Sequence, residues 1–174
     1  MHLKRKLRDY EGIVVKDLIL GGQDGLVDVL GVILGVATAT GSVKLVVIAA
    51  LSSAIAESFS MGAVAYTSQK AFEEYSRRRK NSLRYINPFF EGIVVFMSTL
   101  IGSLIPIIPF LVFKLNLAIL ISLLLSLVVL FVAGVLSGRI VKSEHWIRSG
   151  LRIMLIGAGA AFVGYLAGLW LQNF

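Results

Sequence analysis

The sequence predicts an all-α, polytopic membrane protein with five transmembrane helices, its N-terminus cytoplasmic and its C-terminus outside. Three observations carry this reading. Of the 174 residues, 57% are hydrophobic and only 16% charged, where a soluble domain carries about 25% charged residues. The apolar residues are gathered into blocks: 92–113, 115–138 and 153–174 contain no Asp, Glu, Lys or Arg. Each block holds 22 to 24 residues, and about 20 helical residues cross a hydrocarbon core of about 30 Å. The basic residues, finally, fall almost entirely outside the blocks and on one side of the membrane.

The whole chain, 1–174, reads as a single transmembrane domain. The first helix is expected over about 17–40 and the second over about 43–66, with a polar extension to about residue 80. Both are less hydrophobic than the rest, and both carry acids. The third is expected over about 91–113, the fourth over 115–138 and the fifth over 150–171. Tight connections near Gly41 and Lys114 make hairpins. Pro106 and Pro109 should kink or end the third helix, because proline has no N–H for the helical ladder. The second segment is rich in Ala, Ser and Gly, which let helix backbones approach closely in a bilayer, so it is expected to be central. The leucine-rich fourth is expected to face lipid.

Lys4, Arg5, Lys6, Arg8 and Lys16 precede the first segment. Lys70, Arg77, Arg78, Arg79, Lys80 and Arg84 lie between the second and third, and Arg139, Lys142, Arg148 and Arg152 between or beside the fourth and fifth. Only Lys44 and Lys114 fall on the opposite side. Short loops rich in Lys and Arg stay cytoplasmic, which sets the orientation and accounts for the net charge of +7. The Arg77–Lys80 run is read as lipid headgroup contact, not nucleic-acid binding. The basic N-terminal stretch, Met1 to Lys16, leads into a segment too long and too glycine-rich for a cleaved signal.

Cysteine is absent, which excludes disulfides and thiolate metal sites. His2 and His145 are isolated. There is no His pair at i,i+4, no phosphate loop and no Ser/His/Asp set, so no enzymatic activity and no permanent cofactor are expected.

The chemistry lies in the acids. Asp17, Asp24 and Asp28 are spaced by seven and four. At about 100° per residue, the second and third fall about 20° either side of the first, so all share one helix face. On the second segment Glu57 and Met61 are an i,i+4 pair, with Ser53, Ser58 and Ser60 nearby. An ionised acid at mid-membrane costs about 2.5–3.5 kcal/mol, so several on adjacent helices imply a purpose. Repeated carboxylates suit a cation pathway, and a thioether beside them favours transition metals over Ca²⁺ or Mg²⁺. Gly21, Gly22 and Gly25, which flank Asp24, are expected to pack against a neighbour or to open space for an ion. On these residues alone three functions compete: metal transport, a proton-coupled organic cation carrier, and a non-transporting membrane scaffold.

The same residues carry a family resemblance. KDLILGGQDGLVDVLGVILGV, ESFSMGAVAYTS and GSLIPIIPF resemble the first, second and third helices of the vacuolar iron transporter family. The resemblance spans nearly the whole chain. It implies a homodimer in the membrane that exports Fe²⁺, and often Mn²⁺, from the cytosol in exchange for protons. It implies a pathway at the dimer interface lined by Asp24 and Met61, with Asp17 as the outer acid of the first helix. Asp28 and Glu57 add acids where several members are neutral. The larger members insert a metal-binding helical domain between helices two and three. The link here, Ser68 to Phe90, is too short for it, which makes this a short form. Glu73, Glu74 and Glu91 are read as remnants of that domain that could capture cytosolic ions. The prokaryotic cell membrane is the expected location, with an organelle membrane as the alternative.

Overall fold

The computed structural model describes the backbone of residues 2–78, 87–140 and 145–172, and the side chains of 15–77, 87–140 and 145–172. Among these residues every regular element is helical: α1 (His2–Thr40), α2 (Val43–Arg78), α3 (Pro88–Leu104), a 3₁₀ turn (Ile105–Ile107), α4 (Ile108–Val112), α5 (Leu115–Ile140) and α6 (Trp146–Leu171). Five stretches are long and apolar enough to cross a membrane: Val15–Thr40, Val43–Arg77, Pro88–Val112, Leu115–Ile140 and Trp146–Leu171. The protein is an integral multi-pass membrane protein. His2, Glu11 and the cations Lys4, Arg5, Lys6, Arg8, Arg78, Arg79, Lys80, Arg84 and Lys142 have side chains outside the described residues.

The breaks follow from local chemistry. Gly41 takes φ 63°, a left-handed conformation that costs glycine nothing. Its N–H donates to the Ala37 carbonyl at 3.0 Å. Ser42 Oγ then accepts from Leu45 N–H at 3.4 Å, so the first turn of α2 has a capping oxygen. At the start of α3, Pro88 occupies the first turn and Asn87 accepts from Phe89 N–H at 3.0 Å. Pro106 and Pro109 convert the end of α3 into the 3₁₀ turn and the short α4. The Pro106 carbonyl accepts from Ser122 Oγ of α5 at 2.7 Å. That bond satisfies a backbone group where no water is at hand.

The central helix is α1, not α2. It packs against α2, α3, α5 and α6, whereas α2 leans on α3, α1 and the 3₁₀ turn. The reason is the placement of glycine. A methyl at Gly102 would collide with the Gly22 carbonyl, one at Gly164 with the Gly31 carbonyl, and one at Gly168 with the Gly35 carbonyl. α3 and α6 thus meet α1 backbone to backbone, the close approach that small residues allow in membranes. A core of Val29, Ile33, Ala37, Val46, Ala50, Ala54, Ile107, Phe110 and Ala118 fills the end of the bundle near the α1–α2 turn.

The fourth segment is only partly lipid-facing. Leu117, Leu120, Leu124, Val128, Val132 and Leu136 are exposed. Ala118, Ser122, Ser126, Leu130, Gly134 and Gly138 are buried, each four residues from the last. This small-residue stripe seats α5 on its neighbours: a Cβ at Gly134 would meet Gly150 Cα at 2.8 Å.

Candidate functional site

The membrane-embedded acids form two groups. The first lies across α1 and α2. Glu57 lies within electrostatic range of Asp28 and Asp24, and Asp24 lies within range of Asp28. Asp24 and Glu57 are half-buried, Asp28 is exposed, and Met61 is half-buried one turn along α2. Among the described residues the two ion pairs are Lys16–Asp17 and Arg77–Glu73, so no basic side chain neutralises these three acids. Asp24 also lines a cavity of about 150 Å³ with Leu20, Gln23, Val27, Ile153 and Ile156, which opens toward α6. Ser58 does not join them: it is fully buried and donates to the Ala54 carbonyl at 2.6 Å.

The second group lies between α1 and α3. Asp17 is 3% exposed and Glu91 is 9% exposed. The two carboxylates are within electrostatic range of each other. Lys16 Nζ reaches Asp17 at 3.4 Å from an exposed position. Glu91 Oε2 is buried with no hydrogen-bond partner among the described residues. Ser98 Oγ donates to the Asp17 carbonyl at 3.4 Å.

The expected single stripe of Asp17, Asp24 and Asp28 is therefore split. The three share a wheel face, but α3 crosses α1 closely at Gly21, Gly22 and Gly25 and covers the Asp17 end. Asp24 and Asp28, further along, are left to α2 and to the surface. Gly21 and Gly25 open no space for an ion. Methyls at Gly21 and Gly25 would collide with Ser98, Thr99 and Ser103 of α3, and α1 runs unbroken through them.

Glu73 and Glu74 lie on the extension of α2. Glu73 is tied to Arg77, and Glu74 is exposed. Sequence reasoning missed the pairing of Glu91 with Asp17. The available signal was Asn87-Pro88, a helix start that places Glu91 in the first turn of α3, where an acid suits the helix dipole.

Chemically, the α1–α2 group offers carboxylate oxygens and a thioether across two helices. Among the described residues no three Asp, Glu or His side chains of the single chain converge closely enough to hold a metal ion.

The profile of the VIT family matches residues 15–85 and 73–169 of the chain. An uncharacterized protein of the archaeon Methanocaldococcus jannaschii is 29% identical over 165 residues, an alignment that covers 86% of this chain and 84% of that protein.

Proposed function

The chain belongs to the vacuolar iron transporter (VIT) family, and from that premise we propose that it exports Fe²⁺, with Mn²⁺ as second substrate, in exchange for protons. Membership of the family makes it a membrane metal-ion transporter; the metal, the direction and the coupling are our reading. The observation that carries it is the grouping of Glu57, Asp28 and Asp24 within electrostatic range, with Met61 one turn from Glu57. Carboxylates without a cationic partner in the membrane invite a cation. The neighbouring thioether favours a transition metal over Ca²⁺ or Mg²⁺. A carboxylate binds metal only after losing its proton, so metal and protons compete for one cluster. That competition is the minimum an exchanger needs.

The reading includes a homodimer. Among the described residues one chain lacks a compact set of three acidic ligands, and the α1–α2 acids lie at or near the open face of those helices. A two-fold axis along that face would bring two Asp24 and two Met61 residues together and double the ligand count. Asp17 and Glu91, buried beneath the end of α1 that carries Lys16, would take ions up from the cytosol. Glu73 and Glu74 are the weaker candidates for that role, since Arg77 already engages Glu73.

Purified protein in liposomes tests the proposal, with metal flux and internal pH recorded together. Fe²⁺ or Mn²⁺ movement matched by opposite proton movement is the expected result. Movement of organic cations without metal would replace it with the cation-carrier reading. No flux of any of these would favour the scaffold.

A further inference from the structure

On the side of α2 away from the acids, α2 and α3 enclose an apolar groove of about 440 Å³, a size typical of small-ligand sites (~300–1,000 Å³). Its floor is the close approach of Gly62 and Gly92: a methyl on either would meet the other's carbonyl oxygen at 2.9 Å. Its walls are Phe59, Ala63, Tyr66, Phe89, Ile93 and Phe96. Phe59 is 72% and Phe89 66% exposed, so the groove opens outward. Apart from the Tyr66 hydroxyl, its lining side chains carry no polar atom.

The charge sits at one end. Lys70 lies one turn beyond Tyr66, with Nζ 5.8 Å from the ring centroid. Positions 63, 70 and 77 are seven apart and so lie on one helix face, drifting about 20° per step. Arg77 on that face is engaged by Glu73. Lys70 makes no ion pair among the described residues. The groove therefore ends in a cation that has no ion-pair partner among the described residues.

Depth places that cation at a lipid headgroup. The α2 span runs Val43–Arg77, and about 20 residues from its start, near Gly62, the hydrocarbon core is crossed. Tyr66 then lies at the interface, where tyrosine is favoured, and Lys70 at headgroup level. The α3 span begins at Pro88, at the same level, as the Gly62–Gly92 contact requires.

The occupant follows from this chemistry. Tyr66 is nine residues from Glu57, about 180° around the helix. A second protomer that covers the acids thus leaves the groove open. We propose that the groove binds an anionic phospholipid of the leaflet at the Lys70 end, its acyl chain between α2 and α3 and its phosphate on Lys70. This site rests only on the chain being embedded in a bilayer and stands whether or not the transport reading holds.

Native mass spectrometry tests it on the purified full chain, delipidated and then exposed to phosphatidylglycerol or phosphatidylcholine with the same acyl chains. The native chain should retain phosphatidylglycerol about fivefold over phosphatidylcholine, the preference expected of one cation near a membrane surface. Lys70→Gln should abolish that preference and Lys70→Arg keep it. Ala63→Phe, which fills an exposed groove position, should remove both adducts, while Leu124→Phe on the exposed face of α5 should keep them. Equal retention of the two lipids by the native chain would overturn the proposal, as would an intact preference in Lys70→Gln. A Phe59→Cys variant that crosslinks two copies in vesicles would also overturn it, since the groove would then be a protein interface.

Discussion

Glu57 on α2 lies within electrostatic range of Asp28 on α1, with no basic side chain paired to either among the described residues. Two neighbouring carboxylates repel unless a proton or a cation lies between them. A divalent cation that binds the pair takes the place a proton would otherwise hold. Glu57→Gln keeps the shape and a donor but removes the exchangeable proton. It should lower the number of protons moved per metal ion and reduce metal flux by about tenfold, a barrier change of about 1.4 kcal/mol. The ratio of proton to metal flux in liposomes is the measurement. An unchanged ratio would make the pair structural.

Glu91 sits beneath α1 beside Asp17, one carboxylate oxygen having no hydrogen-bond partner among the described residues. An uncompensated buried charge opposes folding. Glu91→Gln should therefore raise the melting temperature of the metal-free protein, by about 2–4 °C for each kcal/mol recovered. If the pair takes up ions, the same change should slow Fe²⁺ uptake. Higher stability with undiminished uptake would assign Glu91 no part in transport.

Gly102 and Gly159 separate packing glycines from idle ones. A side chain at Gly102 collides with the Gly22 backbone, while nothing lies within 4 Å of a methyl at Gly159. Gly102→Val should destabilise the α1–α3 contact by about 1–3 kcal/mol or more. Gly159→Ala should be neutral or slightly stabilising, because alanine is the better helix former by about 1 kcal/mol. Thermal unfolding in one detergent compares them. Equal behaviour would remove close backbone approach as the basis of the α1–α3 packing.

The membrane class and the five spans were legible because they depend on block length and charge alone. The helix break at Pro106 and Pro109 was legible because a missing N–H acts locally. The centrality of α1 was not. Small residues in α2 suggested a central helix, but which small residues meet depends on how helices cross, and the decisive pairs, Gly22–Gly102, Gly31–Gly164 and Gly35–Gly168, join residues far apart in sequence. The acids were each picked out by type and depth. Their grouping was not, because a helical wheel gives the face of Asp17 but not the helix that covers it. Only the crossing of α3 divides Asp17 and Glu91 from Asp24, Asp28 and Glu57.

The proposed dimer places the α1–α2 face of one copy against the other. The chain has no cysteine, so a single introduced thiol reports without background. Leu20 is 51% exposed and borders the Asp24 cavity. Leu20→Cys should form disulfide-linked dimers in native membranes, and Leu124→Cys on α5 should not. Crosslinking of Leu124→Cys alone would move the interface to the opposite side of the bundle.

Asp24 and Met61 should divide the work of exchange between charge and softness. Asp24 is half-buried, borders a cavity toward α6, and lies within electrostatic range of both Asp28 and Glu57. Charge on any of the three acids therefore acts on the other two. Asp24→Asn keeps the side-chain shape and removes the negative charge, so the variant should fold and insert. Losing one charge-assisted ligand should cut metal-driven proton movement by at least about tenfold, or about 1.4 kcal/mol. Met61 offers no charge and no titrating proton, only a thioether that a transition metal can use. Met61→Ala should leave proton binding nearly unchanged while narrowing the preference for Fe²⁺ over Mg²⁺. The two variants therefore fail differently: one in coupling, the other in selectivity. Metal flux with simultaneous pH recording, run against a panel of Fe²⁺, Mn²⁺ and Mg²⁺, separates the two failures. Native exchange rates in Asp24→Asn would make that carboxylate structural and shift the coupling role to the Asp28–Glu57 pair. Unchanged selectivity in Met61→Ala would leave metal choice to the carboxylates alone.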